Sequence, residues 1–219
     1  ITCTTAWRLP IKKICKMARK HGLITVVDGA QSIGMVEVDV KDMGCDFFVS
    51  STHKWLFAPK GSGMLYIDDA AENLIGLGYF THGGQLTAGR FENHGSQSLA
   101  PMVGFAVAVD FHNVIGGSLI EDRGATMAEY LKSHLSDIPG VKLWTPMSRE
   151  LSASMASFSI GGMSSSDVCN PLRERYKIQS RGLHEGGYHG ARMSCAIHNT
   201  YEEMNKVIEA ISEIAANRC

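Results

Sequence analysis

No CxxC pair occurs among the six cysteines, Cys3, Cys15, Cys45, Cys169, Cys195 and Cys219. Neither a zinc site nor a disulfide scaffold is signalled, and reduced thiols in a cytoplasmic protein are expected. A charge bias is missing as well: 21 Lys and Arg stand against 22 Asp and Glu, a net charge of −1. That balance gives no electrostatic footprint for nucleic acid or for an anionic membrane surface. The longest apolar run, Leu99 to Val109, contains a Pro and a Gly and falls well short of the about 20 residues that span a bilayer. A soluble chain with no membrane partner is the expectation. No basic segment followed by an apolar one opens the chain, and no repeat or low-complexity tract interrupts it.

What is present has the composition of a globular protein. Hydrophobic residues make up 44% and charged residues 20%, which excludes wholesale disorder. A length of 219 residues accommodates one large domain or two modest ones. The first third alternates helical and strand patterns. Pro10 opens a helix carrying Ile11, Ile14, Cys15 and Ala18 at helical spacing, and Gly22 ends it. Leu23 to Val27 reads as a strand covered on both faces and runs into Asp28 and Gly29. Further strands are expected at Phe47 to Val49 and at Met64 to Ile67, the latter after a tight turn at Lys60 to Gly63. This order points to an α/β layer with a mostly parallel sheet.

Helices are expected over 98–115 and 117–136, separated by Gly116 and Gly117. Beyond Pro139 and Gly140 the pattern becomes α+β. Strands are expected at Val141 to Trp144, Met155 to Ile160, Ile178 to Ser180 and Ala191 to Cys195. The last helix has Thr200 and Glu203 as a capping box and a stripe of Met204, Val207, Ile208, Ile211 and Ile214. The domain reading is therefore 1–120 and 121–219.

In open α/β sheets ligands gather at the carboxyl ends of strands. Two such ends carry unusual polar content, Asp28-Gly29-Ala30-Gln31-Ser32 and Ser50-Ser51-Thr52-His53-Lys54-Trp55. Alone, the acid reads as a helix cap and the lysine as a solvated side chain. Together they match what pyridoxal 5'-phosphate requires: a carboxylate that keeps the pyridine nitrogen protonated and a lysine that forms the imine. Gln31 can donate to the phenolate oxygen of the same ring. Trp55 suits either a core or a cleft. His184 and His189 have no acid or thiol at ligand spacing, and no GxSxG elbow is present.

The strings VVDGAQSIG, CDFFVSSTHKWLFAPKGSGMLYI, RFENHGS and ARMSCAIHNTYEE together resemble the class V aminotransferase family. That family includes cysteine desulfurases, selenocysteine lyases and isopenicillin N epimerases. The resemblance implies a PLP-dependent transferase of fold type I, aspartate aminotransferase-like, with the later part of the large domain followed by a smaller α+β domain. It implies Asp28 on the pyridinium nitrogen, Gln31 on the ring oxygen, Ser51 and His53 on the phosphate, and Lys54 as Schiff-base lysine and general base. Ser96 replaces a threonine of the family and would serve the phosphate of a partner subunit in a homodimer with shared active sites. As a mere helix cap it would read equally well. Arg192 would grip the α-carboxylate of an amino-acid substrate, a salt bridge being the plainer alternative, and Arg181, ranked below it because the residues after it diverge, would be a second active-site arginine.

In one branch of desulfurases a cysteine follows that second arginine closely. Gly186 stands there in this chain, and Cys195 reads as a small buried hydrophobe. The sulfur-accepting thiol is thus missing from the motif, which leaves C–S elimination, epimerisation and transamination open. The make-up of the family, not a residue of this chain, favours C–S cleavage on a cysteine-like amino acid narrowly over epimerisation. The family's earlier half, with further strands and a ring that stacks on the cofactor, is not recognisable, and Ile1 opens in mid-domain. An incomplete sequence, a piece of a longer chain and a truncated protein are all open. A truncated chain would be a non-catalytic binding or dimerisation module, the reading from a different class.

Overall fold

The structure, a computed structural model, describes residues 1–74, 96 and 98–217. Two compact units divide the chain, one formed by Pro10–Ile115 and the other by Ile1–Leu9 together with Gly116–Cys219.

In the first unit, α1 (Ile11–Lys20) follows Pro10, which stands at the cap position rather than inside the helix. Arg19 and Lys20 fall in its last turn, where positive charge complements the helix dipole. The sheet consists of β1 (Val26–Asp28), β2 (Phe47–Ser50) and β3 (Met64–Ile67), in that spatial order. The short helix α2 (Val40–Met43) lies between β1 and β2 in sequence and is capped by the Asp39 carboxylate on the Asp42 N–H. β1 and β2 are parallel, with Asp28 opposite Val49, whereas β2 and β3 are antiparallel. The sheet is therefore mixed rather than mostly parallel among the described residues.

The expected first strand is also shorter. Leu23 and Ile24 precede the ladder and are exposed, as is Val26. β1 is an edge strand among the described residues, and its exposed Val26 and Asp28 show that burial on both faces is not realised there. Phe48, 1% exposed, centres a small core with Cys15 and Cys45. A second cluster joins Leu56, Ala58 and Ala108, the last on α3 (Ala100–Ile115).

The other unit is a four-stranded antiparallel sheet in the order β4-β5-β7-β6. Its strands are β4 (Val141–Leu143), β5 (Met155–Ile160), β6 (Arg181–Gly182) and β7 (Ala191–Ser194). Every residue of β5 is buried, as befits a central strand. The helices α4 (Gly117–Ser136), α5 (Ser165–Glu174) and α6 (Tyr201–Ala216) enclose one core, in which Met127, Leu131, Phe158, Leu172 and Ile211 are fully buried. Both α5 and α6 start in complete capping boxes, Ser164 with Asp167 and Thr200 with Glu203. The expected stripe on α6 faces the core, with Ile208 only partly buried.

One expected strand moves. Ile178 to Ser180 form no ladder; the Ile178 N–H donates to the Leu172 carbonyl, and Lys177 adopts a positive φ of 59°. That left-handed residue turns the chain away from α5, so pairing with β7 begins only at Arg181.

Candidate active site

Because β1 and β2 are parallel, both end at the same sheet edge, and β3 starts there with Met64 opposite Ser50. The Asp28–Ser32 and Ser51–Gly63 segments therefore leave from one edge. Gly29 N–H donates to the Val49 carbonyl at 2.7 Å, and the Ser50 hydroxyl returns a bond to the Gly29 carbonyl at 2.9 Å. These bonds lock the two strand ends together. Gly29 must lack a side chain, since a Cβ there would lie 2.0 Å from the buried Phe48 ring.

Asp28 is exposed, and its Oδ1 accepts the Ala30 N–H at 2.9 Å. Gln31 is buried, and its Oε1 accepts the indole N–H of the equally buried Trp55 at 2.8 Å.

The turn carrying the lysine is pegged at both ends. Thr52, fully buried, receives the Ala58 N–H at its carbonyl, and its hydroxyl bonds the Ser62 hydroxyl at 2.8 Å. Ser62 in turn donates to the Pro59 carbonyl, which realises the tight turn expected at 60–63. His53 Nδ1 lies 2.9 Å from the Ser62 carbonyl. A carbonyl only accepts, so Nδ1 carries a proton, and Nε2 can donate to an anion when the ring is doubly protonated. Lys54 is exposed on this turn, and among the described residues its ammonium has no carboxylate partner within ion-pair distance. Ser51, half-buried, lies between Ser50 and the pegged Thr52.

This edge brings together Asp28, Gln31, Ser51, His53 and Lys54. Ser96 is described and exposed, but the rest of its motif, residues 90–95, lies outside the described residues.

In the other unit, Arg181 and Arg192 sit directly opposite each other on β6 and β7. Arg181 Nη1 donates to the Cys3 carbonyl at 3.3 Å, and Arg192 Nη1 donates to the same oxygen. Arg181 also pairs with Glu185 at 2.5 Å. Arg192 Nε is buried without a partner among the described residues. Burial, reinforced by the adjacent Arg181 charge, pulls Arg192 below the usual guanidinium range. Two like charges directly opposed across a strand pair are destabilising, and a buried unsatisfied N–H adds to that cost. A carboxylate placed there would relieve both.

Sequence reasoning missed Cys3, because the contact spans 178 and 189 residues. Its exposed thiol is held below its ordinary pKa, chiefly by a hydrogen bond with Arg181. It also left Trp55 undecided, although an indole N–H needs a partner wherever it is buried. Cys195 is fully buried, as expected, and burial pushes its thiol up to about 12.

A fold-type-I architecture with a lysine and an aspartate on neighbouring strand ends defines a class of enzyme domain, and comparison with known proteins narrows it. Residues 4–207 match the family Aminotransferase class-V. The chain is 28% identical to isopenicillin N epimerase of Streptomyces clavuligerus over 98% of its own length and 58% of the relative's. It is 31% identical to a cysteine desulfurase of Serratia proteamaculans (strain 568), over 94% of this chain and 54% of that one. The solved apo structure of a cysteine desulfurase from Thermococcus onnurineus NA1 superposes with a TM-score of 0.87 at 26% identity, covering 100% of this chain and 59% of that one. This chain belongs to the class V aminotransferase family. It spans a little over half the length of these relatives. The cofactor of the family is pyridoxal 5'-phosphate.

Proposed function

We propose that the chain provides the lysine and the carboxylate-binding arginines of a pyridoxal-phosphate enzyme acting on an α-amino acid. The observation that carries this reading is the placement of Asp28 and Lys54 on segments leaving one edge of the β1–β2 pair. The residues present fit the cofactor: an acceptor at Asp28, a donor amide at Gln31, hydroxyl and imidazole groups at Ser51 and His53, and an amine at Lys54. When bound, the ring supplies an electron sink for the pair left behind as the Cα–H bond breaks. Asp28 would accept a hydrogen bond from the ring N–H and stabilise its positive charge. Ser51 and His53 would anchor the phosphate, with Ser96 of a second copy as a further hydroxyl. Arg192, assisted by Arg181, would hold the substrate carboxylate, and the Lys54 amine would take the Cα proton.

Within this scheme we favour C–S bond cleavage on a cysteine-like amino acid. A cysteine desulfurase among the relatives supports the substrate class. Gly186 at the loop position and the buried, poorly ionised Cys195 support elimination without a protein-bound persulfide. Epimerisation is the second reading, supported by the 98% coverage against isopenicillin N epimerase.

The test incubates the full-length protein and pyridoxal phosphate with L-cysteine in heavy water. Release of sulfide is the expected result. Deuterium at Cα with the D-isomer present, and no sulfide, would assign the epimerase. Absence of exchange with any amino acid tried would leave a non-catalytic binding module.

A further inference from the structure

We infer that Trp55 is a positioning residue whose indole N–H sets the orientation of the Gln31 amide, so that the chain offers its ring-bound cofactor a donor and not an acceptor. The inference rests on the proposed cofactor site and concerns how that site is tuned.

An indole nitrogen is a donor only. The Gln31 atom 2.8 Å from Trp55 Nε1 must therefore be the carbonyl oxygen Oε1. Fixing the oxygen on Trp55 leaves the –NH2 as the free end of the amide. An amide without this constraint can rotate by 180° and present its oxygen instead, which would repel a phenolate. Gln31 and Trp55 are 7% and 8% exposed, so water competes little for this bond.

Trp55 is itself held from behind. Its carbonyl lies 3.1 Å from His112 Nε2, the other nitrogen of that ring lies 3.1 Å from the Ala108 carbonyl, and the ring packs against Phe57 with centroids 5.5 Å apart. Phe57 sits in the left-handed region, with φ 60°, three residues after Lys54. The helix α3 thereby braces the lysine turn through His112. The indole side chain then transmits that fixed position to Gln31.

Trp55→Phe keeps most of the ring packing and deletes the donor. A donor to the phenolate favours the deprotonated imine, because the negative oxygen is then least compensated by the imine proton. The experiment follows the pH midpoint of the visible cofactor band in the full-length holoenzyme, for wild type, Trp55→Phe, Gln31→Leu and the double variant. Trp55→Phe should raise the midpoint by about half a unit to one unit. Gln31→Leu should raise it at least as much, and Trp55→Phe should add nothing in that background. A Trp55→Phe holoenzyme with an unchanged midpoint would overturn the inference, as would an equal shift in the Gln31→Leu background. If Trp55→Phe does not fold, Trp55→Met, which also lacks the donor, takes its place: a raised midpoint supports the inference and an unchanged one overturns it. A wild-type protein that shows no visible band with pyridoxal phosphate would instead overturn the cofactor reading on which this rests.

Discussion

Arg181 and Arg192 face each other across the β6–β7 pair, and both donate to the single carbonyl oxygen of Cys3. Arg181 also has the Glu185 carboxylate, but Arg192 has no ion-pair partner among the described residues and a buried Nε without a bond, so it is Arg192 that is suited to a carboxylate. Arg192→Ala in the full-length protein should weaken amino-acid binding by about 10- to 100-fold, the scale of one charge-assisted hydrogen-bonded contact. The cofactor spectrum should persist. Arg192→Lys should recover only part of the loss, because an ammonium cannot form the fork. Substrate titration of the visible band measures both; collapse of cofactor loading would remove the carboxylate role.

The same arrangement sorts the thiols. Cys3 is exposed and its pKa is lowered, first by its hydrogen bond with Arg181, whereas Cys195 is buried and raised to about 12. Timed alkylation with iodoacetamide at pH 7.5, read by peptide mass spectrometry, should label Cys3 ahead of Cys195. Arg181→Ala should slow the Cys3 reaction. Equal rates would contradict the electrostatics described for this corner.

Gly29 has no room for a side chain, since the Phe48 ring lies 2.0 Å from where its Cβ would stand. Gly29→Ala should cost roughly 1–3 kcal/mol, the range for overpacking a core. Its neighbour Asp28 should shift with it, lowering affinity for pyridoxal phosphate. Urea unfolding and cofactor titration separate the two effects. A fully stable variant with normal loading would show that the strand end is softer than its contacts indicate.

Lys132 on α4 is 2% exposed, and its ammonium donates to the Pro146 and Met147 carbonyls and to the Ser152 hydroxyl. Among the described residues no carboxylate touches it, and burial lowers its pKa from 10.5 to about 8. Between those values the unfolded chain binds more protons than the folded one. Stability therefore rises with pH through that window, and the burial penalty is present in full below about 8. Across the whole window the gain is on the order of 3 kcal/mol. Comparing wild type with Lys132→Met at pH 7.5 and pH 10 isolates it, because the other titrations cancel. A pH-independent difference between the two would contradict the assignment.

Much of the local structure was legible because its causes are local. The Thr200–Glu203 box, the stripe on α6 and the turn at 60–63 follow from spacing and capping chemistry alone. The polar clusters at the ends of β1 and β2 were legible as well, since strand termini in such sheets are where ligands bind. What escaped depends on contacts distant in sequence. Nothing in the run 23–27 shows that β1 has a single neighbour among the described residues, or that β3 pairs antiparallel. Likewise His112 reaches Trp55 across 57 residues, and Cys3 reaches Arg192 across 189. Such pairings arise from topology, and single-sequence periodicity carries no record of them.

The central claim is that Lys54 carries the cofactor. It is tested most directly by adding pyridoxal phosphate to the full-length protein, reducing with borohydride and mapping the labelled peptide. The account predicts a visible band before reduction and the adduct on Lys54, with both lost in Lys54→Ala. A band that survives in Lys54→Ala, or an adduct on another lysine such as Lys60, would contradict it.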